Sequence, residues 1–304
     1  MGVMRLGYMH IRVTDLGEAM RHYEETLGLR PTLADGGKAY LKGWDEWDHH
    51  SVVLEEGGVG LVKAGFKVRY SEDLDQMESA AQRFGVTVER FSKGDNAEVG
   101  DGVRFQIPMG HTVELYHEMT MLGTEVGNLN PMSRPRDLKG AGVPHLDHAL
   151  IKGEDIATAE RFFVDVLGFV TVERMVADHS DGAPLIATWL TVSNKTHDFA
   201  LIAGADGGLH HLAFALRDWA AVQNAGDVFV MDDVPIDIGP TRHGITRGET
   251  IYLFDPAGNR NETFAGGYNF NPDRPCVTWT MDQLPRGLDY YRRETKDTFL
   301  NVYT

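Results

Sequence analysis

Residues 6–29, LGYMHIRVTDLGEAMRHYEETLGL, and residues 146–169, LDHALIKGEDIATAERFFVDVLGF, run parallel to one another without a gap. Each reads as a short strand, an aspartate turn (Asp15, Asp155), an amphipathic helix and a Leu-Gly stop. The small and aromatic residues of the helices recur at helical spacing, Ala19 with Tyr23 and Ala159 with Phe163. Gly28 and Gly168 stand where a helix C-cap belongs. A second match lays FQIPMGHTVELY (105–116) over LFDPAGNRNETF (253–264), with Gly110 on Gly258 and Glu114 on Glu262. The chain therefore reads as a global repeat of two halves, the second longer where hairpin loops grow at little cost.

Working outward, DLDQMESAAQRFG predicts a second helix over residues 73–85, and VRFQI with VELYH predicts a later hairpin around Met109-Gly110. Each half then holds two units of strand, helix and several strands, an α+β class with mixed or antiparallel sheets. Sheets curved around a cavity would place a ligand inside. The expected boundaries are 1–120 for the first domain, 121–144 for a linker rich in Gly, Pro and Asn, 145–268 for the second domain and 269–304 for a tail.

Composition supports a folded chain. The 304 residues suit about two domains at roughly 150 residues each, and 42% hydrophobic with 24% charged residues excludes disorder as the main state. A net charge of −16 would repel a nucleic-acid backbone or an anionic membrane. The single cysteine, Cys276, forms no intrachain disulfide, and no apolar stretch approaches a membrane span, so the expected compartment is the cytoplasm. The Met-Gly start fails as a myristoylation motif because Leu6 stands where Ser or Thr is needed.

The repeat supplies an internal control. In the alignment Tyr8 faces His148, Lys63 faces His211 and Glu114 faces Glu262, so only the second half offers His, His and Glu. A protonated lysine has no lone pair to give a metal. Two histidines and a carboxylate from three separate strands form the facial triad suited to Fe(II), although these residue types also bind Zn, Ni or Mn. Glu114 reads as a structural carboxylate paired with Lys63. Most of the 13 histidines need another explanation. His10, His22, His111 and His117 lie in the half without a triad and read as structural; His49-His50 reads as an exposed turn or strand end. His145 and His179 read as solvated, and His210 should point away from the face used by His211.

Thr241-Arg242-His243, Ile251-Tyr252, Asp255-Pro256-Ala257-Gly258 and Glu262 together resemble the signature of the type I extradiol ring-cleavage dioxygenases. LDHAL around His148, KTHD around His197, GLHHLAF around His211, PRDLKG in the linker and VTWTMDQL in the tail extend that resemblance over essentially the whole chain. It implies the vicinal oxygen chelate fold: two domains, each of paired βαβββ modules, with metal in the second only. It maps His148, His211 and Glu262 to Fe(II) ligands, and His197, His243 and Tyr252 to catalytic residues beside them. The implied reaction is extradiol cleavage of catechol and substituted catechols by O2, giving 2-hydroxymuconate semialdehyde-type products, and the implied assembly is a homotetramer.

Trp189, Ile245 and Thr246 are expected to shape the substrate pocket. Asp255, Pro256 and Gly258 read as the turn that presents Glu262. The tail aromatics Trp279, Tyr290, Tyr291 and Phe299 either close over the substrate or pack on the domain. Two other readings share the fold: a noncatalytic ligand-sequestering protein, which needs no triad, and a glyoxalase-like isomerase using Zn or Ni, which favours more carboxylate ligands. The intact triad and signature favour the dioxygenase.

Overall fold

The computed structural model describes residues 2–304. The N-terminal half begins with β1 (Val3–Val13), α1 (Leu16–Arg21) prolonged by a π-turn (His22–Thr26), β2 (Arg30–Asp35), β3 (Lys38–Lys42) and β4 (Val52–Glu56). The order of elements then recurs as β5 (Gly60–Val68), α2 (Glu72–Phe84), β6 (Val88–Phe91), β7 (Gly102–Gln106) and β8 (Thr112–Tyr116). The C-terminal half starts with β9 (Leu146–Gly153), α3 (Ile156–Asp165), β10 (Val170–Val176), β11 (Leu185–Thr191) and β12 (Phe199–Ala203). It continues with β13 (Gly208–Ala215), α4 (Trp219–Met231), β14 (Ile236–Arg242), β15 (Gly248–Phe254) and β16 (Arg260–Gly266). The helix expected at 73–85 is α2.

Each half is one mixed sheet, ordered β2-β3-β4-β1-β5-β8-β7-β6 and β14-β15-β16-β13-β9-β12-β11-β10. Within every unit the first and last strands run parallel, which demands a crossover and explains the helix after each first strand. The units join through antiparallel pairing of their first strands, β1 with β5 and β9 with β13. The two aspartates of the matching segments cap their helices: Asp15 accepts from the Glu18 amide at 2.8 Å and Asp155 from the Thr158 amide at 3.0 Å. Gly28 ends the first helix at φ +88°, and a Cβ there would lie 2.3 Å from the Lys139 carbonyl oxygen. The irregular segment after β8 is thus packed directly onto that helix end.

One apolar core runs through both halves. Phe66 of β5 meets Phe199 and Phe169 edge-on, with ring centroids 5.2 and 5.6 Å away. Polar ties cross the same boundary: His22 Nε2 to Asn261 Oδ1 at 2.7 Å, and the Tyr23 hydroxyl donating to Asp255 at 3.1 Å. The residues after β16 add an edge strand, β17 (Val277–Thr280), parallel to β10, followed by the short helices α5 (Leu284–Leu288) and α6 (Asp297–Asn301).

The expectation of an exposed His49-His50 turn is not met. Both are buried, their Nδ1 atoms 3.0 Å apart, with Tyr8 and Tyr40 packed edge-on against His50. The Trp and charged residues that suggested exposure belong to the preceding turn, while the chain at His49 has already turned inward.

Candidate metal centre and active site

Three adjacent central strands, β16, β13 and β9, are buried almost throughout. Ala213 of β13 pairs with His148 of β9 on one side and Glu262 of β16 on the other, so these side chains lie level across the sheet. His211 stands two residues back along β13 and shares their face, as period-two alternation requires. His148 Nε2 and His211 Nε2 lie 3.1 and 3.2 Å from Glu262 Oε2 and 3.4 Å from each other. Three mutually adjacent ligands about 2.1 Å from one ion would be about 3.0 Å apart in an octahedral arrangement and about 3.4 Å in a tetrahedral one. The donors therefore fit one cation. Among the described residues they are the one group of three or more His, Cys, Asp or Glu close enough to share an ion.

The outer partners prepare the ligands. Asp147 Oδ2 lies 2.7 Å from His148 Nδ1, and Lys195 bridges Asp147 and Asp198 at 3.3 and 3.1 Å. Such a carboxylate fixes which imidazole nitrogen carries the proton and makes the other a better donor. Burial alone would depress the His148 imidazole, but its hydrogen bonds to the accepting carboxylates of Asp147 and Glu262 outweigh this and raise its pKa. For Glu262, burial opposes the charge, yet the bonds to His148 and His211 hold the carboxyl well below the usual range. Burial pushes His211 down to about 4. The Thr250 hydroxyl, 2.5 Å from Glu262 Oε1, holds the other carboxylate oxygen.

The remaining expected residues converge on the same pocket, which His197, His243, Tyr252, Trp189, Ile245 and Thr246 all line. Tyr252 pairs with Glu262 across β15 and β16. His243 Nδ1 donates to the Leu288 carbonyl at 2.5 Å, which leaves Nε2 to accept from the Tyr252 hydroxyl at 2.9 Å. Burial and the charge of Glu262 keep the Tyr252 phenol protonated far above its ordinary pKa. The His197 ring lies against His148 with centroids 3.9 Å apart and touches Thr196 Oγ1 at 3.3 Å. Burial, and then the neighbouring His148, push its pKa well below the usual histidine range, so it is neutral.

Asp255 is a turn residue, as expected: its Oδ1 accepts from the amides of Ala257 and Asn259 at 2.9 and 2.8 Å. The tail divides. Phe299 lines the pocket, whereas Tyr290 and Tyr291 are exposed and Trp279 donates to Glu173 at 2.7 Å. Glu173 is a residue that sequence reasoning missed. Its carboxylate also accepts from the Tyr268 hydroxyl at 2.6 Å and the Thr246 amide at 2.9 Å, tying the pocket loop to the tail. Asp147 and the Leu288 carbonyl were missed as well. Asp147 had a legible signal in its place directly before His148; the carbonyl had none.

Residues 64–120 match the Catechol 2,3-dioxygenase-like N-terminal domain, and residues 145–263 match the Glyoxalase/Bleomycin resistance protein/Dioxygenase superfamily. The chain is 41% identical to the metapyrocatechase of Pseudomonas sp. (strain CF600), over 100% of this chain and 99% of that protein. It is 25% identical to the manganese-dependent 2,3-dihydroxybiphenyl 1,2-dioxygenase of Geobacillus genomosp. 3, over 97% of this chain and 95% of the other. Among solved structures, the 2,3-dioxygenase LapB from Pseudomonas sp. KL28 superimposes with a TM-score of 0.89 at 41% identity, covering 93% of this chain and 99% of that one.

Proposed function

The chain belongs to the metapyrocatechase, or catechol 2,3-dioxygenase, family of extradiol ring-cleaving enzymes, and from that premise we propose that it opens catechol and methylcatechols beside the diol. Both atoms of O2 enter the product, so catechol yields a 2-hydroxymuconate semialdehyde. The observation that carries the reading is the convergence of His148, His211 and Glu262 donor atoms in a pocket that also contains His197, His243 and Tyr252. Residues 1–120 and 145–268 are read as the two paired-module units, joined by 121–144, with 269–304 completing the second.

His148, His211 and Glu262 would hold Fe(II), which when bound would supply Lewis acidity toward the catechol hydroxyls and redox chemistry for the reaction with O2. The protein side of the mechanism concerns protons and shape. With its Nδ1–H committed to Leu288, His243 presents an accepting Nε2, and Tyr252 beside it both donates and accepts. This pair orients the diol and takes up a hydroxyl proton. His197, neutral through burial, accepts a proton in the pocket and, once charged, returns it readily because its conjugate acid is strong. Leu150, Met175, Trp189, Ile245 and Phe264 form apolar walls that keep bulk water from the reacting ring.

The family premise also implies a homotetramer. Exposed Met121, Leu122, Leu129 and Met132 in the linker offer apolar surface that a neighbouring subunit would cover. The lone, exposed Cys276 suits the reducing cytoplasm.

Anaerobic loading with Fe(II) or Mn(II), followed by aerated catechol, tests the function. Yellow ring-fission product with about one iron per chain is expected. Activity with Mn(II) alone would reassign the metal, and metal uptake without any turnover of catechol would refute the dioxygenase reading.

A further inference from the structure

We propose that His210 is a positioning residue for His211, and that the Phe299 backbone carbonyl sets the direction of the hydrogen bond between the two rings. The inference rests on reading His148, His211 and Glu262 as a metal site. His210 Nε2 lies 2.7 Å from the Phe299 oxygen, and a carbonyl only accepts, so Nε2 carries a hydrogen. The two Nδ1 atoms of His210 and His211 are also 2.7 Å apart, with room for one hydrogen between them. A hydrogen on His210 Nδ1 makes that ring a cation and moves the proton of a neutral His211 to Nε2, the nitrogen that faces Glu262. A hydrogen on His211 Nδ1 leaves its Nε2 bare. Only the second arrangement leaves His211 able to ligate, and it requires a neutral His210 that donates to Phe299 and accepts from His211.

The backbone is built for this chain of bonds. A bulge in β13 between Leu209 and His211 breaks the strand alternation. Both rings therefore stay buried in edge contact, with centroids 4.9 Å apart, instead of lying on opposite faces. The segment carrying Phe299 is fastened at both ends of the site. Leu209 and Thr304 exchange backbone hydrogen bonds at 2.5 and 3.0 Å. Arg260, on β16 two residues before Glu262, donates to the Thr298 carbonyl at 2.7 Å. The Phe299 ring itself contacts His210 and Tyr252, with centroids 4.6 and 5.2 Å away.

The first half supports a role in ligation. The residues before His148 and His211, Asp147 and His210, correspond to Gly7 and Val62 in the first half, which precede Tyr8 and Lys63. Orienting groups occur where the ligands occur and are absent where they are absent. The two imidazoles also receive different partners, an anionic carboxylate for His148 and a neutral ring for His211.

The test compares His210→Leu, which removes the acceptor, with His210→Asn, whose amide oxygen can still accept from His211 Nδ1. Fe(II) retention of the anaerobic holoenzyme would be followed by chelator competition, beside thermal unfolding of each variant. The Leu variant should hold iron about 10- to 100-fold more weakly, and the Asn variant should recover most of the loss at a similar unfolding midpoint. In the unaltered, Zn(II)-loaded chain, ¹⁵N NMR should show a neutral His210 with its hydrogen on Nε2 and none on Nδ1, a readout that does not depend on a variant folding. Equal retention in both variants and the parent, failure of Asn to improve on Leu, or a hydrogen on His210 Nδ1 would each overturn the proposal. His211→Ala serves as the separate check: if it still binds iron at full strength, the metal-site reading fails instead.

Discussion

Gly65 and Ala213 occupy the same place in the two sheets, and what surrounds them differs. Gly65 of β5 lies between Tyr8 and Glu114, as Ala213 lies between His148 and Glu262. The missing Cβ of Gly65 leaves room for the Tyr8 ring, whose Cε1 would otherwise stand 2.1 Å from it. Tyr8 donates to Glu114, Lys63 reaches it at 3.1 Å, Asn96 at 3.0 Å, and Arg104 pairs with it from β7. Every lone pair of that carboxylate has a donor from the chain itself. Glu262 instead faces two imidazole nitrogens able to act as metal ligands. The buried carboxylate is common to both halves; the source of its compensating positive charge is not. A charge buried without such compensation costs several kcal/mol; one half supplies lysine and arginine, where the other presents the two imidazoles of His148 and His211.

This contrast is open to attack by substitution. The largest expected effect is from Glu262→Gln or His148→Ala: both should lose bound iron and at least about 10³-fold in turnover, measured by metal analysis and product absorbance. If the first half matters equally for chemistry, Glu114→Gln will do the same. We expect it to leave turnover within a few-fold while costing about 3–5 kcal/mol in denaturant unfolding, because Lys63 and Arg104 lose their partner. His197→Phe should sit between these, keeping one iron per chain and slowing turnover about 10²- to 10⁴-fold; an unimpaired rate would remove His197 from the mechanism.

The smallest effect concerns pH. Burial, reinforced by His49, depresses the His50 imidazole to about 3. The unfolded chain takes up this proton first, near pH 6.5, so the stability is fully present above that value and is lost as pH falls toward 3. The loss is at most about 1.4 kcal/mol per pH unit from this group. His50→Gln should flatten the dependence of the urea midpoint between pH 6.5 and 4. An unchanged slope would show that His50 is not buried in its neutral form.

Much of this was legible in the chain alone because it depends on local pattern. The matching segments 6–29 and 146–169 revealed strand, capped helix and Leu-Gly stop twice over, and the loss of both histidines in one copy singled out His148 and His211. Glu262 lay outside that logic, since Glu114 shares its place, and its selection needed the motif resemblance. His49-His50 was misread because burial of a polar pair depends on the Tyr8 and Tyr40 rings that come to cover it. The roles of Glu173, Asp147, the Leu288 carbonyl and the His210–Phe299 bond were not identified from the sequence.

Residue type and periodicity carry information about what a segment forms and which atoms it can offer a metal, since those properties travel with a few neighbouring residues. Whether a donor atom is free, paired or aimed at an ion depends on groups brought together from distant strands. In this protein, register across β9, β13 and β16, one bulge at His210 and a carbonyl from the C-terminal segment decide it. Hydrogen bonds act over about 3 Å, so no reading along the chain contains them until the sheet has closed.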